Sequence, residues 1–209
     1  MIMTKMTLFF LCFLAFSAHS QDYKKITDTK ACKESINKHA ESTKTIKADF
    51  SEKVYSSMLK TPTTGTGSVL YKKKNKIRWE HTKPKTQVIL IDGNTFKMKE
   101  NGKEVKGAGS NKVVKKIQEL MIQLFTGEFI NEKEFTVEYF ESTSNYKLKL
   151  VPKNSRMRKY IATIELIFDK KNLNLTQLTM AESETDKMVY VFSNIAVNGE
   201  IADSKFTTF

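Results

Sequence analysis

From Ile46 onward the chain alternates apolar and polar residues in short runs rich in β-branched and aromatic side chains. The runs are IKADFSEKVY, GSVLYKK, KIRWEH, QVILID, TFKMKE and GKEVKG. A period of two puts successive side chains on opposite faces of a strand. Asp92 to Asn94 (DGN) and Asn101-Gly102 supply hairpin turns between them, so an antiparallel meander follows. Two stretches break the pattern. Ile26 to Ser42 lacks Gly and Pro and repeats apolar residues at helical spacing. SNKVVKKIQELMIQLFTG sets Val113, Val114, Ile117, Leu120, Met121, Leu124 and Phe125 on one helical face. Its N-cap candidates are Ser110 and Asn111, and its C-cap candidate is Gly127. Strands then resume as EFTVEYF, NYKLKLVP, YIATIELIFD, LNLTQLTMA and DKMVYVFS. The pattern therefore predicts about eleven strands and two helices.

A chain of 209 residues is long enough for one sizeable core and too short for two independent ones. The strands must form a sandwich or a strongly curved sheet, and the helices favour the curved sheet, because each needs an apolar surface against which to bury its face. The expected fold is mainly β with helices (α+β): an incomplete, strongly curved antiparallel β-barrel whose concave hydrophobic face is covered by helices. Where sheet and helices do not close tightly, an apolar cavity remains, suited to a lipidic ligand.

The N-terminus changes the reading of the charge. Lys5, the apolar run Leu8 to Phe16 and the ending Ala18-His19-Ser20 have the layout of a secretory signal peptide. The run is far below the roughly 20 residues of a spanning helix. Residues 1–20 are expected to be cleaved, leaving 21–209 as a single exported domain. The net charge of +12 suits an anionic partner, and export makes a nucleic acid an improbable one. Cys12 lies in the signal, so Cys32 is left without a disulfide partner. Its helical spacing with Ile36 and His39 or Ala40 predicts a small buried group.

Catalytic patterns are missing. His39 and His81 stand far apart, and no H-E-x-x-H, C-x-x-C or H-x-H occurs to seat a metal. Gly65 to Gly67 (GTG) lacks the lysine and helix of a phosphate loop, and no G-x-S-x-G elbow exists. Glu132 with Glu134, and Glu182 with Glu184, lie in polar segments where solvated charge is the ordinary state. The segment Ile77 to Pro84, IRWEHTKP, collects Arg, Trp, Glu and His, but alternation separates Ile77, Trp79 and His81 from Arg78 and Glu80. Trp79 is expected to face the cavity with Ile77, Phe50, Val69, Tyr71, Phe96 and Met98. Ile117, Met121 and Leu124 are expected to cover them from the helix. Plain core packing has the same composition. For Val88 to Ile91, apolar at four consecutive positions, the inward side stays open.

The run from Gly65 to Lys99, GTGSVLYKKKNKIRWEHTKPKTQVILIDGNTFKMK, resembles the signature segment of the periplasmic outer-membrane lipoprotein carrier family (LolA-like). TIKADFSEKV resembles that family's A-x-F-x-Q segment, and LVPKN, IELIFDKK and VFSN fall where its later strands lie. The resemblance implies a non-enzymatic periplasmic carrier without a cofactor, expected as a monomer. Its expected partners are acylated lipoproteins, an inner-membrane lipoprotein-releasing transporter, and an outer-membrane receptor or membrane surface. Relatives of the same fold that sense envelope stress or serve pigment or lipid biosynthesis make a lipid-sensing or precursor-binding module the alternative. In the family an arginine followed by proline, before the tryptophan strand, is tied to holding a lid closed. Lys73 and Lys74 occupy the matching positions here, which makes Lys73 a latch candidate and Arg78 a second one. A lysine lacks the planar fork of a guanidinium.

Overall fold

The computed structural model describes residues 22–110, 112–128 and 132–209, with the side chains of 110–117 outside the description. The expected signal segment and Asn111 therefore lie outside the described residues, as do the side chains of Ser110, Val113, Val114 and Ile117. A two-residue strand β1 (Lys24–Lys25) precedes helix α1 (Lys30–Ser42). Five strands follow: β2 (Thr45–Tyr55), β3 (Thr63–Lys72), β4 (Lys76–Lys83), β5 (Gln87–Asp92) and β6 (Thr95–Glu100). The short β7 (Lys103–Glu104) leads to helix α2 (Lys112–Thr126). Then come β8 (Phe135–Glu141), β9 (Asn145–Pro152), the single turn of helix α3 (Ser155–Arg158), β10 (Thr163–Asp169), β11 (Leu175–Ala181), β12 (Lys187–Val197) and α4 (Ser204–Thr207).

All twelve strands join one antiparallel sheet in the order β1-β8-β9-β10-β11-β12-β2-β3-β4-β5-β6-β7. The two ends of this order do not pair, so the barrel is incomplete. The curvature can be read from side chains. In a flat sheet β12 and β4, separated by two strands, would lie roughly 14 Å apart. Yet the Tyr190 and Trp79 rings, one from each, have centroids 5.2 Å apart. The concave face carries a continuous core that reaches from Phe135 and Leu150 in one half of the sheet to Trp79 and Ile91 in the other.

The described residues hold twelve strands, in keeping with the expected number of about eleven, and two helices more than expected, the single turns α3 and α4. The extra strand, β1, is two exposed lysines paired with Glu141 and Phe140, too short to show a period. Helix α1 also begins later than Ile26, because Ile26 instead donates its amide to the Tyr139 carbonyl (2.8 Å). Within α1, Cys32 and Ile36 are buried as their spacing predicted.

The C-terminal segment explains the four apolar residues Val88 to Ile91. Ile89 and Ile91 pair with Trp79 and Ile77 on the concave side, which leaves Leu90 facing outward. There α4 packs across β4 and β5, and Leu90 and Phe206 are both buried apart from the main core. Cations hold this strap from below. Arg78 donates to the carbonyls of Lys205 (3.2 Å) and Thr208 (2.9 Å). Lys72 donates to that of Ile201 (2.8 Å) and pairs with Asp203 (2.8 Å).

Candidate functional site

Strands β12, β2, β3 and β4 build an aromatic wall on the concave face. The Phe50 ring lies 4.8 Å from that of Trp79, 5.1 Å from His81 and 5.5 Å from Tyr190, and Trp79 stands 6.1 Å from Phe192. Such tilted and edge-on contacts suit the ring quadrupoles. Gly67, opposite Phe50 and His81 in the ladders, makes room for this. A methylene at that position would lie 2.4 Å from Phe50 Cζ and 2.0 Å from the Glu80 carbonyl oxygen.

Helix α2 spans the concave face above this wall, and its end is fixed at two points. Phe125 stacks on Tyr71 at 5.2 Å. Gly127 takes a left-handed φ of +76° and donates its amide to Gln123 (3.0 Å), the usual way to end a helix. A side chain there would also collide with Ala40 of α1, at 2.9 Å, so glycine is required for the two helices to meet.

Between α2 and the sheet lies a cavity of about 570 Å³, within the roughly 300–1,000 Å³ of small-molecule sites. Trp79, Ile89, Leu178 and Met180 line it from the sheet, and Leu120, Met121, Leu124 and Phe125 from the helix. It reaches the end of the sheet where Tyr55, Ser56, Tyr160 and Met188 form the rim. A second space, of about 60 Å³, lies under α1 beside Ile36 and Val69, too small for a lipid chain.

Of the residues expected from the sequence, Trp79, Met121 and Leu124 stand on the cavity wall. Phe50, Tyr71 and Ile77 are packed into the core, and Val69 borders the small space. Phe96 and Met98 are half-buried on β6 and line neither space. Leu178, Met180, Tyr190 and Phe192 were missed. Their alternation along β11 and β12 was visible, but only sheet closure shows that these strands face Trp79. Lys73, in the β3–β4 turn, donates its ammonium to the Glu41 carbonyl in the last turn of α1 and its amide to that of Lys44 (2.8 Å). Arg78 lies on the opposite face, on the C-terminal strap.

One polar group interrupts the apolar wall. Glu52 has the inward parity of Ala48, Phe50 and Val54 on β2 and stands opposite Tyr190. His81 Nε2 approaches its Oε2 at 3.5 Å. The hydrogen bond from His81 holds the Glu52 carboxyl below its ordinary range, with the Tyr190 hydroxyl adding to the effect and burial opposing it. Burial pushes the Tyr190 phenol well above its ordinary value. A carboxylate, an imidazole and a phenol are present, and among the described residues the imidazole meets Glu52 through Nε2 and has no hydrogen-bond partner at Nδ1, so no hydroxyl or thiol nucleophile is bonded to it. Cys32 is remote and buried, and burial raises its thiol to about 11, so it stays protonated at neutral pH. The carboxylate pairs near each other in sequence serve elsewhere. Glu132 meets Lys33 at 2.5 Å, and Glu184 is exposed. Among the described residues no three metal-binding side chains converge, and no helix is long and apolar enough to cross a membrane.

The sequence profile of the family described as outer membrane lipoprotein carrier protein LolA matches residues 41–208. The chain belongs to this family. The LolA family is one of carrier and binding proteins. A search of curated proteins finds no match. Among solved structures, a LolA superfamily protein from Nitrosomonas europaea is similar at 11% identity over 84% of this chain and 97% of that one, with a TM-score of 0.41. The MucA/MucB complex of Pseudomonas aeruginosa matches at 9% identity over 86% and 60% of the two chains, with a TM-score of 0.49. A DUF1329 family protein from Desulfovibrio piger matches at 10% identity over 85% and 96%, with a TM-score of 0.45.

Proposed function

We propose that this protein is a periplasmic carrier that shelters the acyl chains of lipoproteins in the α2 cavity and moves them from the inner to the outer membrane. The observation that carries this reading is an apolar space of about 570 Å³ under a helix in a LolA-family chain. Each buried methylene contributes about 0.8 kcal/mol, so an acyl chain needs such a shelter to leave a bilayer. The carrier makes and breaks no covalent bond. It receives its cargo from an inner-membrane lipoprotein-releasing transporter and yields it at the outer membrane, to a receptor or to the membrane itself. Purified protein is expected to take up a fluorescent fatty acid saturably at one site, and mass spectrometry of the native protein to find an acylated species. Absence of both sinks the reading.

Lys73 is the latch in this scheme. Its ammonium rests on a carbonyl at the negative end of α1, an exposed contact worth at most about 1 kcal/mol. Lys73→Ala is expected to speed probe uptake and release by up to about fivefold, the rate equivalent of that contact. Lys73→Arg, with more donors for the same Glu41 carbonyl, is expected to slow them. Stopped-flow fluorescence reads both, and equal rates in all three proteins would remove Lys73 from the gate.

A further inference from the structure

The antiparallel order brings the turns 56–62, 84–86, 153–162 and 182–186 to one end of the sheet, the end at which the cavity has its rim. Apolar exposure collects there. Among the described residues seven large hydrophobic side chains are exposed, and Met58, Leu59, Tyr160 and Met188 of these stand at this end. Met58 is 90% exposed and Tyr160 63%, an arrangement that a folded core does not require. The turn that presents Met58 is held in place, since both the amide and the hydroxyl of Ser57 donate to Asp186 (3.0 and 3.1 Å), and Leu59 donates to the Ser56 carbonyl (3.0 Å).

Cations surround these tips. Lys60, Lys83, Lys85, Arg156 and Lys159 are exposed at the same end, and none makes an ion pair with a described residue. The acids nearby are Glu100 and Glu134 at the sheet margins and Glu182, Glu184 and Asp186 in one turn, where Asp186 is engaged by Ser57, Ser183 and Thr185. Apolar tips flanked by unpaired lysines fit a bilayer interface, in which the tips enter the acyl boundary while the ammonium groups stay among the phosphates.

We propose that this rim docks the protein on an anionic phospholipid surface, with Met58 and Leu59 entering the interface and the lysine and arginine side chains on the headgroups. The inference rests on the carrier reading and adds its point of exchange. With the rim seated on the bilayer, an acyl chain passes between membrane and cavity without crossing water. A protein partner at the rim would not require lipid.

Cosedimentation of the purified protein with vesicles of phosphatidylglycerol and phosphatidylethanolamine, and with phosphatidylcholine vesicles, tests it. Binding is expected to the first and not to the second, and to weaken at least tenfold between low and physiological salt. Each cation near an anionic surface contributes roughly fivefold, so the triple variant Lys60→Glu, Lys83→Glu, Lys85→Glu is expected to lose binding. Met58→Ser with Leu59→Ser is expected to weaken it by about tenfold through lost apolar burial. Fatty-acid uptake without vesicles, measured on the same proteins, reports folding and the cavity separately. If uptake is normal and vesicles are not bound, or if both variants bind as the parent does, docking by this rim is overturned while the carrier reading stands. Loss of uptake in the parent protein strikes the carrier reading instead.

Discussion

Gly67→Val is expected to lower stability by about 3 kcal/mol or more, a fall in melting temperature on the order of 10 °C for a domain of this size. The cause is the absence of any place for a side chain. A Cβ at Gly67 lies 2.0 Å from the Glu80 carbonyl oxygen and 2.4 Å from Phe50 Cζ. The first contact is with the backbone of the neighbouring strand, so no rotamer change relieves it. The second is with the ring at the centre of the aromatic wall, which is held by Trp79, His81 and Tyr190. Either the β3–β4 ladder opens or the wall repacks, and both lose buried contacts. Gly67→Ala is expected to share much of the loss. Gly199→Ala, where a Cβ meets nothing within 4 Å, is the matched control and is expected within about 0.5 kcal/mol of the parent. Thermal and urea unfolding measure the three. A Gly67→Ala protein as stable as the control would show that the close approach is not a constraint.

Filling the cavity should have the opposite profile, with binding lost and the fold retained. Met121 of α2 and Met180 of β11 both line the space as partly buried wall residues. Met121→Trp combined with Met180→Trp places two indoles where no atoms stand, so the usual penalty for overpacking a full core does not apply. Fatty-acid affinity is expected to fall by at least tenfold, with the melting temperature unchanged or raised. Calorimetric titration beside thermal unfolding separates the two effects. If the double variant binds the probe as the parent does, the ligand lies elsewhere and the cavity loses its role.

These two experiments concern features that differed in legibility. The strand that carries Trp79 could be read in detail from alternation, and the burial of Ile77 and Trp79 against the partial exposure of Arg78 and Glu80 follows it. That reading dissolved the apparent cluster in IRWEHTKP. The same logic placed Met121 and Leu124 toward the sheet. It could not separate Trp79, on the cavity wall, from Phe50 and Ile77, in the filled core, because wall and core have the same composition and differ only in whether space remains. Gly67 was visible only as half of a phosphate-loop fragment to be set aside, since nothing local announces that a ring from another strand will lie on it. Arg78 carried no local sign that its partners are carbonyls of the C-terminal strap, more than a hundred residues away.

The sequence by itself determined the alternating strands, the helical stripes, the hairpin turns and the inward parity along each strand. These depend on dihedral preferences and on periods of two and 3.6 residues that operate within a few positions. Tertiary structure alone decided how far the sheet curls, that β1 and β7 do not pair with each other and stand as its two edges, that Leu90 is covered from outside by α4, and that β11 and β12 share a cavity with α2. Those outcomes depend on long-range closure and on how completely side chains from distant strands fill the space they enclose. A local pattern specifies which side of a strand turns inward, but it does not specify what that side will meet.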